Sequence, residues 1–313
     1  MPALITHDLF ARQILEAHPE LIGDSKDERD AFVLGSQGPD PWFYIAADPK
    51  RHAVHAVGPK MHRLNPSKVL FAMKEVVSAF EGEDADIARA YAKGFLCHYE
   101  LDRAAHPYIY CIQFALQSAG EPDLDESDGS EIHAEIEREL DEFMLYRSLG
   151  VTVKDFNPGK EILQGGHNML EPVSKMHSYV AANALSTFLE LGDFVKAVKW
   201  FRLYQKSTYS PLGWWRAAVG RIEETRRRYS FVKALAHRPQ PSQDTPFANL
   251  DHIAWTNPFT QEVSTSSFPE IFDMAKERYL RDVEILMAPD SDLEAVKGFT
   301  GGVDFNGHIN ADE

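Results

Sequence analysis

His98 and Asp102 stand four residues apart, which puts an imidazole and a carboxylate on one face of a helix. That face is otherwise apolar, carrying Ile87, Tyr91, Gly94 and Leu101. A carboxylate on a core stripe is costly unless it is paired or holds a metal, so Asp102 is the residue hardest to read as ordinary packing. His106 follows four further on, and Pro107 after it biases its backbone away from helical geometry. The three side chains are therefore expected to turn towards different points of one cavity rather than stack in a line. His133 and Glu137 repeat the four-residue pairing on another helix. Imidazole nitrogen and carboxylate oxygen both suit Zn²⁺ at about 2.0–2.2 Å. Three further candidates precede these. His7 lies along the stripe of Phe10 and Ile14, Asp40 sits in the Gly38-Pro39-Asp40-Pro41 loop, and His62 lies just ahead of Asn65-Pro66.

Each residue alone has a plainer reading. A single buried histidine is usually a hydrogen-bonded core residue, and Asp40 suits simple turn chemistry. A glutamate four after His133 comes cheaply in the acidic stretch 121–142. Cys97 projects about 100° around the helix from His98 and reads as core. Trp42, Phe43 and Tyr44 offer a cation–π face for a choline-like headgroup, but the preferred reading packs them onto the core. Trp214 and Trp215 read as a helix-start packing pair and Arg226-Arg227-Arg228 as a charged helix end. His52, His55, His167, His177, His237 and His252 lack a partner at clean spacing and read as surface or core.

The elements that must position these residues are helical. Apolar periodicity predicts helices over about 3–18, 26–35, from Asn65-Pro66 onward, 84–105, 130–148, 171–191, 193–206, 212–235 and 266–287. Breakers make 35–41 a loop, 120–129 is acidic and loop-like, and 237–262 is a long polar, proline-rich loop. No strand pattern is convincing, so the class is all-α. The expected organisation is a metal-binding core over 1–150, a helical extension over 151–290 and a mobile tail over 291–313. The 313 residues carry 44% hydrophobic residues and a net charge of −16. That charge argues against nucleic acid as a partner, because its binders show a basic face. No apolar run is long enough to span a membrane. No signal peptide is evident and two cysteines cannot form a disulfide scaffold, so a reduced, cytoplasmic setting is expected.

The run Gly94-Phe95-Leu96-Cys97-His98-Tyr99-Glu100-Leu101-Asp102-x3-His106-Pro107-Tyr108-Ile109 resembles the metal-binding helix of the zinc-dependent phospholipase C family, in its bacterial, signal-less branch. The order His7, Asp40, His62, His98, Asp102, His106, His133, Glu137 is similar to that family's ligand order over about 1–145. Trp255-x-Asn257-Pro258-Phe259 and Ser266-Ser267-Phe268-x2-Ile271 add a looser likeness. The resemblance implies the multi-helical fold shared by these enzymes and single-strand nucleases, here with additional C-terminal helices. It also favours His62, at the family's Met-His position, over His52 and His55. It implies one zinc held by Asp40, His62, His98 and Asp102, a second by His106, His133 and Glu137, and a third by His7 and bridging Asp102. In secreted members an N-terminal tryptophan completes the third site, whereas this chain begins Met1-Pro2, so two or three ions are expected. The implied activity is hydrolysis of a phosphodiester, from a lipid headgroup or a small soluble molecule, by water that the metal activates. Asp40 is the candidate general base. The alternatives are a single-strand nuclease and a metal-binding protein without hydrolytic activity.

Overall fold

The computed structural model describes residues 4–119, 129–209, 236–238 and 244–310. Outside them lie the expected acidic loop up to Gly129, the expected helix 212–235 with Trp214, Trp215 and the arginine run, and the side chain of His52. Helices dominate: α1 (Leu4–Ala17), α2 (Lys26–Gly35), α3 (Pro41–Tyr44), α4 (Val57–Arg63), α5 (Pro66–Glu75), α6 (Gly82–Ser118), α7 (Gly129–Leu149), α8 (Pro158–Glu161), α9 (His167–Leu185), α10 (Asp193–Thr208), α11 (Phe268–Met287) and α12 (Leu293–Thr300). Buried apolar residues from Leu4 to Phe305 form one continuous core.

The axis of the fold is α6, 37 residues long and continuous through Pro107. This corrects the expected bend at His106. Proline removes the bond to the Arg103 carbonyl, but packing along the helix on α2, α7, α9 and α11 holds the helical path. His98, Asp102 and His106 therefore do stack along one stripe. They still serve different points, because eight helical residues rise about 12 Å. Helix α2 lies close against α6 through two glycines. A side-chain carbon on Gly94 would strike the Phe32 carbonyl, and one on Gly35 would strike the Tyr91 carbonyl. That approach carries the following turn directly over His98. Gly38 takes φ +50° there, and a side chain on it would overlap the His98 ring.

At the start of α1, free backbone amides would be costly to bury. Asp141 of α7 accepts from the Ile5 amide at 3.1 Å, the Thr6 amide at 2.7 Å and the Thr6 hydroxyl at 2.6 Å. A cap from 135 residues away thus fixes the helix that carries His7.

Several boundaries differ from the sequence reading. Helix α9 runs His167–Leu185 and ends at Ser186 in a left-handed conformation, not at Gly192. A short antiparallel hairpin, β1 (Trp255–Thr256) with β2 (Val263–Ser264), begins within the stretch read as loop and ends just beyond it. Its turn is built by Asn257, whose side-chain oxygen accepts from the Phe259 amide at 2.9 Å. Asn65 precedes α5 at φ 44° without a side-chain capping bond, while Pro66 takes the first helical position. The largest difference is at the C-terminus. In place of a mobile tail, Asp292 caps α12, and residues after it return to the centre of the molecule with Phe305 fully buried. An aromatic anchor and the turn glycines Gly301 and Gly307 supply what an apparently polar tail seemed to lack.

Candidate metal centre

All eight candidate residues converge in one region. Three sets of ligand atoms each lie within 4.8 Å: His7, His98 and Asp102; Asp40, His62 and His98; and His106, His133 and Glu137. His98 thus belongs to two sets, while the resemblance implied sharing through Asp102. Asp102 nonetheless faces both ways, with Oδ1 3.1 Å from His7 Nε2 and Oδ2 3.0 Å from His98 Nε2. His62 Nε2 is 3.2 Å from Asp40 Oδ1 and 3.5 Å from His98 Nε2. In the third set Glu137 Oε1 lies 3.5 Å from His106 Nε2 and 3.3 Å from His133 Nε2. Corners of a tetrahedron with bonds of about 2.1 Å are about 3.4 Å apart, and these separations match it.

The outer nitrogens decide which way the lone pairs point. His62 Nδ1 donates to the Gly58 carbonyl at 2.8 Å, and His98 Nδ1 to the Ser36 carbonyl at 3.1 Å. His106 Nδ1 donates to the Phe305 carbonyl at 2.6 Å, and His133 Nδ1 to the Gln113 side-chain oxygen at 2.9 Å. A carbonyl can only accept, so in each neutral ring Nε2 keeps its lone pair. Those lone pairs face carboxylates and, for His62 and His98, each other. Such an arrangement is repulsive unless positive charge sits between the groups, supplied by a metal ion or, at His106, by a ring proton. Among the described residues, Asp40 Oδ1, despite its ion-pair contact with His62, and His7 Nδ1 are buried without a hydrogen bond of good geometry. Buried polar atoms are normally satisfied, and a cation at these sets would satisfy both. The donor set fits a metal.

Electrostatics agree. Burial pushes Asp102 up, but His98, His106 and His7 outweigh it and hold its carboxyl well below the usual range. Asp40 is likewise lowered against burial by His62 and His98. Glu137 is held well below its ordinary value against burial, with His133 and His106 facing it. His106 is raised to about 9, because Asp102, Glu137 and the Phe305 carbonyl overcome its burial. Burial lowers His133 more than Glu137 raises it. His133 is the most open of the eight, with 16% of its side chain exposed, so solvent reaches the centre from the α7 side.

Some candidates take the plainer role. Asp40, though placed in a loop, lies inside at 5% exposure. Trp42 is fully buried and donates to His177 Nδ1 at 3.2 Å, and Tyr44 stacks on Phe201. Phe43 lies 5.3 Å from the His62 ring. His177 is a core residue between Trp42 and Tyr91, pushed down to about 3 by burial. Both cysteines are free. His55, His167, His237 and His252 do not join the three sets.

Sequence reasoning missed the carbonyls of Gly58, Ser36 and Phe305, the Gln113 amide and the Asp141 cap. A carbonyl leaves no mark in a sequence. Asp141 did carry one, standing four after Glu137 on the same helix face. Among the described residues no helix is long and apolar enough to cross a membrane. Comparison with protein-family models, with curated proteins and with solved structures finds no match.

Proposed function

We propose that the protein is a zinc-dependent phosphodiester hydrolase resembling phospholipase C. The observation that carries the reading is the convergence of histidine lone pairs and three buried carboxylates at tetrahedral spacing. Bound zinc would supply Lewis-acid activation of water and neutralisation of phosphate charge. The remaining work falls to the chain. Asp40, His62 and His98 would hold one ion, His106, His133 and Glu137 a second, and His7 with His98 and Asp102 a third. Backbone carbonyls at His62, His98 and His106 and the Gln113 side-chain oxygen at His133 hold four of the rings in orientation for loading. Without ions, three ionised carboxylates would repel an anionic diester. Two or three divalent ions against three carboxylates leave about +1 or +3, so the same ions attract the substrate. Asp40, whose carboxyl stays ionised, is the residue proposed to take the proton from the attacking water.

The test is metal analysis of the purified protein, followed by assay on bis(p-nitrophenyl) phosphate, a nitrophenyl phosphocholine ester and single-stranded DNA. Two or three zinc ions per chain and turnover of the small diesters above the chelated control are expected. A protein that loads zinc and hydrolyses none of them is a binding protein, and preference for DNA makes it a nuclease. Failure to bind zinc at all would end the proposal.

A further inference from the structure

The C-terminal loop touches residues of all three metal sets from behind, but it hydrogen-bonds a ring nitrogen in only one of them, at His106. The loop is built as a unit. Val303 and Ile309 form an antiparallel bridge, and the buried Asp304 carboxylate accepts from the Asn306 amide at 2.8 Å and the His308 amide at 2.9 Å. Gly307, at φ +81°, lies against the Pro107 ring, where a side chain would collide. The loop is pinned to α6 by the Tyr99 hydroxyl, which donates to the Val303 carbonyl at 2.7 Å. It is pinned to α4 by the Phe305 amide, which donates to the His62 carbonyl at 3.2 Å. The Phe305 ring packs on His62 and His98 at 5.5 and 5.9 Å. Its carbonyl receives the His106 Nδ1 proton at 2.6 Å.

Pro107 explains why such a loop is useful. The residue beside His106 cannot give its carbonyl partner an amide, so the helix is weakest where a ligand must be held most firmly. The loop covers that weak point and supplies the one acceptor that orients the His106 ring. We infer that residues 301–310 are a positioning latch that sets the His106 tautomer and thereby the metal affinity of the His106–His133–Glu137 set. The inference rests on the metal reading above. It adds that the C-terminal loop, distant from every ligand in sequence, selectively controls one set.

Asp304→Ala removes the acceptor that shapes the latch, and Asp304→Asn keeps an oxygen in its place. Chelated protein is titrated with Co²⁺, whose visible absorption reports coordination ion by ion, and the fold is checked by circular dichroism. Outer-shell changes typically weaken metal binding about 10–100-fold. The expected result is that Asp304→Ala weakens one ion by that factor, leaves the others at wild-type affinity, and is rescued by Asp304→Asn. A long-range ¹⁵N spectrum should show the His106 Nδ1–H losing its hydrogen bond to the Phe305 carbonyl in the alanine variant. Should that variant not fold, Gly307→Ala, which presses one carbon onto Pro107, is held to the same expectation. Wild-type affinity for every ion in the variant overturns the latch, and so does equal weakening of all ions, which would make the loop a general brace. If wild-type protein takes up no Co²⁺ or Zn²⁺, the metal reading itself fails; the two failures are distinguishable.

Discussion

Helix α6 buries two acids only two residues apart, and they face opposite fates. Asp102 meets four imidazoles within 4 Å, those of His7, His62, His98 and His106, and is held ionised. Glu100, fully buried on another face, is pushed up to about 8. Burial acts on both, so desolvation alone does not separate them. The difference lies in how much positive charge each is offered. One Arg103 amine nitrogen contacts both Glu100 Oε2 and Asp282 Oδ2 at 2.9 Å. Burial is the largest push on Glu100, Asp282 adds to it, and the shared Arg103 together with Arg278 does not offset them, so a proton settles on Glu100. On the Asp102 side the surrounding rings present lone pairs that a cation can take. The Glu100 side is neutralised by a proton, whereas the Asp102 side is a group that could hold an ion.

The contrast breaks most visibly at Asp102. Asp102→Asn should remove bound metal and phosphodiesterase activity together, by more than the roughly 100-fold of an outer-shell change. Metal analysis showing a full zinc complement in that variant would reduce Asp102 to a structural acid. Next in size is Arg103→Ala, which strands two buried carboxyls and also loses the bond to the Phe299 carbonyl. It should cost about 3–5 kcal/mol in urea unfolding while zinc stoichiometry stays at the wild-type value. A change in zinc content there would show that the two faces are coupled.

Glu100→Gln sharpens the same comparison through pH. Between 4.5 and about 8 the folded chain keeps a proton on Glu100 that the unfolded chain has lost. The stability this group contributes is therefore full below 4.5 and drains as pH rises through about 8. The glutamine variant has no such drain, so its melting temperature should gain on wild type between pH 5 and pH 8.5, by up to a few kcal/mol in stability. A gap that stays constant over this range contradicts a protonated Glu100. The smallest effect belongs to His106. Raised to about 9 without metal, it carries a proton at neutral pH that zinc must displace. Affinity for that ion should fall about tenfold per pH unit below 9, and calorimetry in two buffers should detect the released proton. Zinc uptake without proton release would mean that His106 is not a ligand.

Much of the centre was legible because helical pitch is local. Four-residue spacing placed Asp102 beside His98 and Glu137 beside His133 before any fold was known, and the apolar stripes gave the helices that carry them. Pro107 was misread because a local preference was set against the packing of a long helix, and packing won. The C-terminal tail was misread because its glycines and polar residues look like slack, while the single Phe305 that anchors it carries no periodic signal.

The residue types, their pairing on helix faces and the all-helical class belong to the sequence alone, since they follow from a rise of about 1.5 Å per residue and from side-chain chemistry. Which of these side chains come within reach of one another was decided only by the tertiary structure. That depends on α2 meeting α6 at paired glycines, on Asp141 capping a helix 135 residues away, and on a C-terminal carbonyl turning one imidazole. Such contacts bring distant segments together through burial, and no short-range pattern records them.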